Sequence, residues 1–381
     1  MRLFLVICAA AFAVLAGLPS AALAHVKWFA PYIIDAPPEP LNDVIRNLWL
    51  WTGVALVLAF FVATRLIEAR RIGGVILDGL DKLTNPLWQR LDDYIRAIIA
   101  AFFVAIFAVG GVYLTPDLKT PAEWVSWIQL IIAMCIFSRR TMPLAGIGII
   151  GLWLLAMRDY DLFHLLDYLA LGLGVAGYLV IAPSKNEELR SHRFEVLRWG
   201  LAIALMWSSL EKFAYPSWFY PLVVEKPFLT FGLPRDVFIP MAGVAEFTLG
   251  FGLIWTPLIR RLSAIALLVI FTAAVWPFGR IDLIGHGLIM AILLAVAADH
   301  SRSSHILIGF KTAVRNIPVG LAAVMVLFVG GYWGLHAAFY DYEGVDRAAV
   351  PRSTHSHNPE YPHGPRAEDS PIGAPARPSS R

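Results

Sequence analysis

The sequence predicts an all-α polytopic membrane protein. It should have ten transmembrane helices once a signal peptide is removed, as two parallel four-helix units flanked by one helix on each side. Three observations predict this. The 381-residue chain is 58% hydrophobic and only 15% charged, with a mean hydropathy of +0.65; soluble domains run near about 45–50% and about 25%. Ten apolar stretches approach the roughly 20 residues that a helix needs to cross a bilayer. The lysines and arginines between those stretches alternate in density, as the positive-inside rule requires. A formal net charge of +3 and the lack of any basic stripe argue against a nucleic-acid partner.

Residues 1–24 have a basic start at Arg2, an apolar run and the small-residue end Ala22-Leu23-Ala24, the pattern of a secretory signal peptide. Cleavage there leaves His25 as the new N-terminus. Cys8 falls in the leader and Cys135 in a span, so the mature chain can form neither a disulfide framework nor a cysteine metal site. Residues 25–47 form a periplasmic segment, 48–95 the first span and a cytoplasmic connector, and 96–182 the first four-helix unit. Residues 194–298 form the second unit, 317–337 the last span, and 338–381 a disordered periplasmic tail.

The spans are 48–66, 96–114, 122–138, 141–157, 163–182, 198–214, 238–256, 262–277, 282–298 and 317–337. Helices are the natural choice, because backbone groups in lipid must be satisfied within the segment and no alternating barrel pattern is visible. With His25 outside, seventeen lysines and arginines fall on the inner loops. Eight fall on the outer ones: Lys27, Arg46, Lys119, Arg158, Lys212, Lys226, Arg235 and Arg280. Both mature ends are then periplasmic, in a bacterial inner membrane. Connector residues Ile72, Val75, Ile76, Leu80, Leu83 and Leu87 recur at helical spacing beside Asp78, Asp81 and Lys82, which predicts an amphipathic helix on the membrane surface. A weak repeat at an offset of 121 aligns Arg139-Arg140 with Arg260-Arg261 and Asp161 with Asp282. It makes spans two to five and six to nine parallel copies.

An ionisable residue at the centre of a span costs about 2.5–3.5 kcal/mol, so each needs a reason. Glu211, Glu246 and His286 fall within spans of the second unit, all in the outer half, where the first unit has Gly111, Val125 and Leu165. A four-helix bundle can gather such side chains in its core. Three readings are open: a quinone headgroup site that exchanges protons, a divalent-metal site, or a structural polar network pairing Glu211 with Lys212 or Arg235. A pocket there would use Trp207, Lys212, Trp218 and Asp282. The aromatic, proline-rich loop 215–237 is either a lid over it or an interfacial anchor. The first unit's Arg158, Asp159, Asp161, His164 and Asp167 lie near enough to the interface to be solvated. His25 and the tail's His355, His357 and His363 form a second candidate, for copper, against a plain polar tail.

Three stretches, Trp207-Ser-Ser-Leu-Glu-Lys-Phe213, Gly243-Val-Ala-Glu-Phe-Thr-Leu-Gly-Phe-Gly252 and Gly285-His-Gly287, give residues 195–300 a resemblance to the DoxX/DoxD-like family of four-helix membrane proteins. One branch of that family resembles the membrane subunit of a thiosulfate:quinone oxidoreductase; others accompany redox or thiol-stress proteins. The resemblance implies quinone-linked redox chemistry or a respiratory accessory role, with quinone as cofactor and a periplasmic or membrane redox partner. Copper handling and small-solute transport are the alternative functions. The tandem units, leader, flanking helices and histidine tail depart from a single-unit member.

Overall fold

The computed structural model describes Lys27, residues 36–302 and residues 314–340. Among these there is no β-strand, only an isolated bridge between Val112 and Lys119. The leader, His25, His355, His357 and His363 lie outside the described residues.

The helices are α1 Leu41–Arg46, α2 Leu48–Glu68, α3 Arg71–Trp88, α4 Leu91–Val109, α5 Trp124–Ile136, α6 Met142–Ala156 and α7 Leu162–Ile181. Then come α8 Glu187–Ser191, α9 Arg193–Ser208, α10 Glu211–Ala214, α11 Tyr220–Glu225, α12 Arg235–Gly252, α13 Pro257–Ala297 and α14 Asn316–Phe339. Five stretches are long and apolar enough to cross a membrane: α2, α7, the two arms of α13 (Pro257–Val275 and Phe278–Ala297) and α14. α5 and α6 are apolar but shorter. α4, α9 and α12 lie over the other predicted spans and open on charged residues, Asp92 and Asp93, Arg193 and Glu195, and Arg235 and Asp236.

Two boundaries differ from expectation for local reasons. The span expected at 96–114 runs from Leu91 to Val109, because Gly110 and Gly111 adopt φ of 71° and 60° and turn the chain out of the helix. The span expected at 198–214 stops at Ser208 and resumes as the short α10. In α13, Gly279 has φ 71° and ψ −147°, and the chain reverses there. Arg261 Nε donates to Ala297 O at 2.7 Å, and the Phe271 and His286 rings lie 4.9 Å apart, so the arms run antiparallel.

Packing follows a closed order. α4, α5, α6, α7, α9, α12 and α13 each contact the next, and α13 returns to α4. α2 packs on α12 and α13, and α14 lies across α2, α7 and α9. α7 and α9 meet backbone to backbone: a Cβ built on Gly200 would sit 2.6 Å from Gly174 Cα. Small residues are what allow helices to approach this closely in a membrane.

One end of the bundle is tied by arginines. Arg198 and Arg260 each reach Asp299 at 3.1 Å, and Arg261 and Arg302 both bind Asp81 of α3. The Arg96 guanidinium donates to Ile136 O and Phe137 O at 3.0 and 2.9 Å, satisfying carbonyls that α5 leaves open. These contacts hold one face of α3, Gly73, Leu77, Asp81 and Thr84, against the bundle. Ile72, Val75, Ile76 and Leu83 form a separate exposed apolar face, and Arg71, Asp78, Lys82 and Asn85 a polar one. That three-sided pattern suits a helix lying at a lipid–water boundary. Arg139 and Arg140, the repeat partners of the fully buried Arg260 and Arg261, are exposed.

Candidate functional site: a groove and a buried ion cluster

Between α7, α9 and α14 lies an open groove of about 650 Å³. α7 lines it with Leu166, Leu169, Ala170, Leu173 and Gly174; α9 with Val196, Trp199, Gly200, Ile203 and Trp207; α14 with Leu335. The close crossing of Gly174 and Gly200 forms its floor. From His192 to Trp207 it follows fifteen residues of helix, roughly 22 Å at 1.5 Å per residue. His192 and Glu195, 3.2 Å apart, mark the arginine end. Trp207 marks the other, which carries the aromatic loop and is called here the aromatic end.

Trp207 is also the edge of a buried charge cluster. Its indole N–H donates to Asp167 Oδ1 at 2.9 Å. Asp167 binds the ammonium of Lys27, which also reaches Glu211 Oε1 at 2.5 Å. All three charged side chains are under one-tenth exposed. Burial alone would lower the Lys27 pKa; the two carboxylates outweigh it and hold the ammonium above its usual value. Asp167 is on α7, Glu211 opens α10 one turn beyond Trp207, and Lys27 comes from the N-terminal segment. Tyr332 of α14 packs its ring against Trp207 and Phe163, with centroids 5.0 and 5.2 Å away, and is 1% exposed.

The other predicted site residues fall into separate pairs. Glu246 receives Lys212 Nζ at 2.6 Å, and the Phe219 ring lies 5.0 Å from that ammonium. His286 Nδ1 lies 2.9 Å from Asp282 Oδ1 within the second arm of α13. Trp218 is buried and stacks on Tyr215 at 4.0 Å. Glu211, Glu246 and His286 are therefore held by three different contact partners; Lys212, one partner the sequence allowed for Glu211, acts on it from a distance while binding Glu246. Among the described residues no group of three or more His, Cys, Asp and Glu side chains is placed to hold a metal ion. Residues 215–234 fold into 3-10 turns at Pro216–Phe219 and Pro227–Thr230 around α11; Leu222 and Val223 pack inward while Phe228 and Phe231 stay exposed.

Of the first unit's outer-edge residues Arg158 is solvated and Asp161 half-buried, but Asp159 and His164 are buried, as is the nearby Asp117, each at most 3% exposed. Thr115 Oγ1 donates to Asp117 at 2.5 Å, Tyr168 OH binds the same carboxylate, and His164 Nε2 lies 3.9 Å from it. Tyr113 OH donates to Asp159 at 2.5 Å. Burial pushes the Asp117 carboxyl up, but the His164 ring and the two hydroxyls outweigh it and hold it well below the usual carboxylate range. This cluster ties the 110–121 loop to α7.

Sequence reasoning missed Lys27 and Tyr332 and read Asp167 as solvated. Lys27 reads as a solvated loop charge. Asp167 does sit inside the predicted span 163–182, and that was the one available signal. Compared with family models, curated proteins and solved structures, the chain matches none.

Proposed function

We propose that the chain is a ten-span bacterial inner-membrane protein that binds an isoprenoid quinone, in a quinone-linked redox or respiratory accessory role. The observation that carries this reading is the groove itself: a long apolar channel along α7 and α9 that ends at Trp207, the edge of the buried Lys27–Asp167–Glu211 cluster. A polyisoprenoid tail suits the first part, and a polar headgroup suits the second, since ligand sites pair apolar walls with a few placed polar groups. Ionisable residues within a membrane are retained mostly for function. In this reading the aromatic end faces the periplasm and the arginine end the cytoplasm, as the loop charges suggest. The resemblance of residues 195–300 to the DoxX/DoxD-like family points the same way.

Photolabelling tests the reading. An azido-quinone irradiated with the protein in lipid nanodiscs should label peptides within 166–174 and 196–207, and excess unlabelled quinone should compete. Labelling spread over the lipid-facing surfaces without competition would remove the proposal.

A further inference from the structure

Among the described residues the buried cluster holds more carboxylates than cations. Lys212 acts on Glu211 from a distance but gives its ammonium to Glu246 at 2.6 Å, so among the described residues Lys27 is the one cation in contact with both Asp167 and Glu211. Asp167 has two donors, the Lys27 ammonium and the Trp207 indole; among the described residues Glu211 has Lys27 in contact and Lys212 further off. Among the described residues the walls add no charge: Phe163, Tyr215, Tyr332 and Tyr340 surround the cluster, and the Tyr340 hydroxyl is given to Asp161 at 2.5 Å. Among the described residues His336 is a further titratable group, enclosed by Phe163, Tyr215 and Tyr340 at centroid distances of 4.9, 6.0 and 4.6 Å.

A buried carboxylate without its own counter-charge is costly by several kcal/mol. When two carboxylates share a site, one of them keeps its proton. We propose that Glu211 is that group: a neutral carboxylic acid at the head of the groove, able to donate a hydrogen bond to an acceptor such as a quinone carbonyl. The proton assignment rests on the cluster's geometry; only the identity of the acceptor rests on the quinone reading. Lys27 and Asp167 then form a neutral pair that fixes Glu211 in place. The assignment predicts a preference for headgroups that accept hydrogen bonds over those that only donate.

Infrared spectroscopy of the full-length protein in nanodiscs, with and without carboxyl-13C glutamate, reads the proton directly. At neutral pH the wild type should show a protonated-carboxyl C=O band that moves with the glutamate label. Glu211→Gln should abolish it. Asp167→Asn should abolish it too, because Glu211 then has Lys27 to itself and ionises. Glu195→Gln, at the other end of the groove, should leave it unchanged. No label-shifted band, or one that survives Glu211→Gln, would overturn the proposal and move the proton to His336 or elsewhere. Should Glu211→Gln fail to fold, the labelled wild type and Asp167→Asn still decide. A band without bound quinone would sink the groove reading alone; quinone without the band would sink this one alone.

Discussion

Gly200→Leu should break the α7–α9 contact and empty the groove together. A Cβ at position 200 would lie 2.6 Å from Gly174 Cα and 2.7 Å from Ala170 O, and backbone atoms cannot move aside as a flexible side chain can. Even one added methyl there should cost about 1–3 kcal/mol, the usual range for overpacking. Leucine should cost more and also fill the channel. Thermal unfolding in detergent reads the first effect and quinone content the second. Gly172→Ala is the control: a Cβ there meets nothing within 4 Å. It should be neutral or stabilise by up to about 1 kcal/mol through helix propensity. Equal stability of Gly200→Leu and the wild type would refute the crossing.

Lys27→Met should be nearly as damaging. It leaves Asp167 buried with only the Trp207 N–H as partner, and removing one member of a buried ion pair typically costs about 3–5 kcal/mol. Adding Asp167→Asn should recover most of the loss, because the orphaned charge is then gone. A double-mutant cycle on denaturant unfolding measures that coupling. Additive losses would show that Lys27 and Asp167 do not interact. Glu211→Gln by itself should be mild, since a neutral amide replaces what the cluster treats as a neutral acid.

The residues explain what the sequence could and could not reveal. Long apolar runs with polar ends define α2 and α14 almost to the residue: 48–66 against Leu48–Glu68, and 317–337 against Asn316–Phe339. Val112-Tyr113-Leu114 reads as helix by hydropathy, yet two glycines at positive φ override it. Glu211 was visible because a charge within a span is expensive wherever the chain goes. Its partner was not visible. Lys27 and Asp167 lie 140 positions apart and Arg261 and Asp81 180 apart; each looks like an ordinary boundary charge until folding joins them. Glu246 and His286 carry the same sequence signal as Glu211, but each meets a partner within the second unit, Lys212 and Asp282. Of the groove only Trp207 stood out in the sequence, because the rest of its walls are mostly the same aliphatic and glycine residues that pack the other helices.

The central claim is that the α7–α9–α14 groove holds a quinone with its headgroup at Trp207. Its most direct test is quinone content after gentle purification of the full-length protein, wild type against Ala170→Leu, which narrows the channel without touching the charge cluster. Close to one quinone per chain is expected in the wild type, and a loss of at least tenfold in Ala170→Leu at unchanged thermal stability. A wild type that carries only phospholipid, or a variant with the same quinone content, would contradict it.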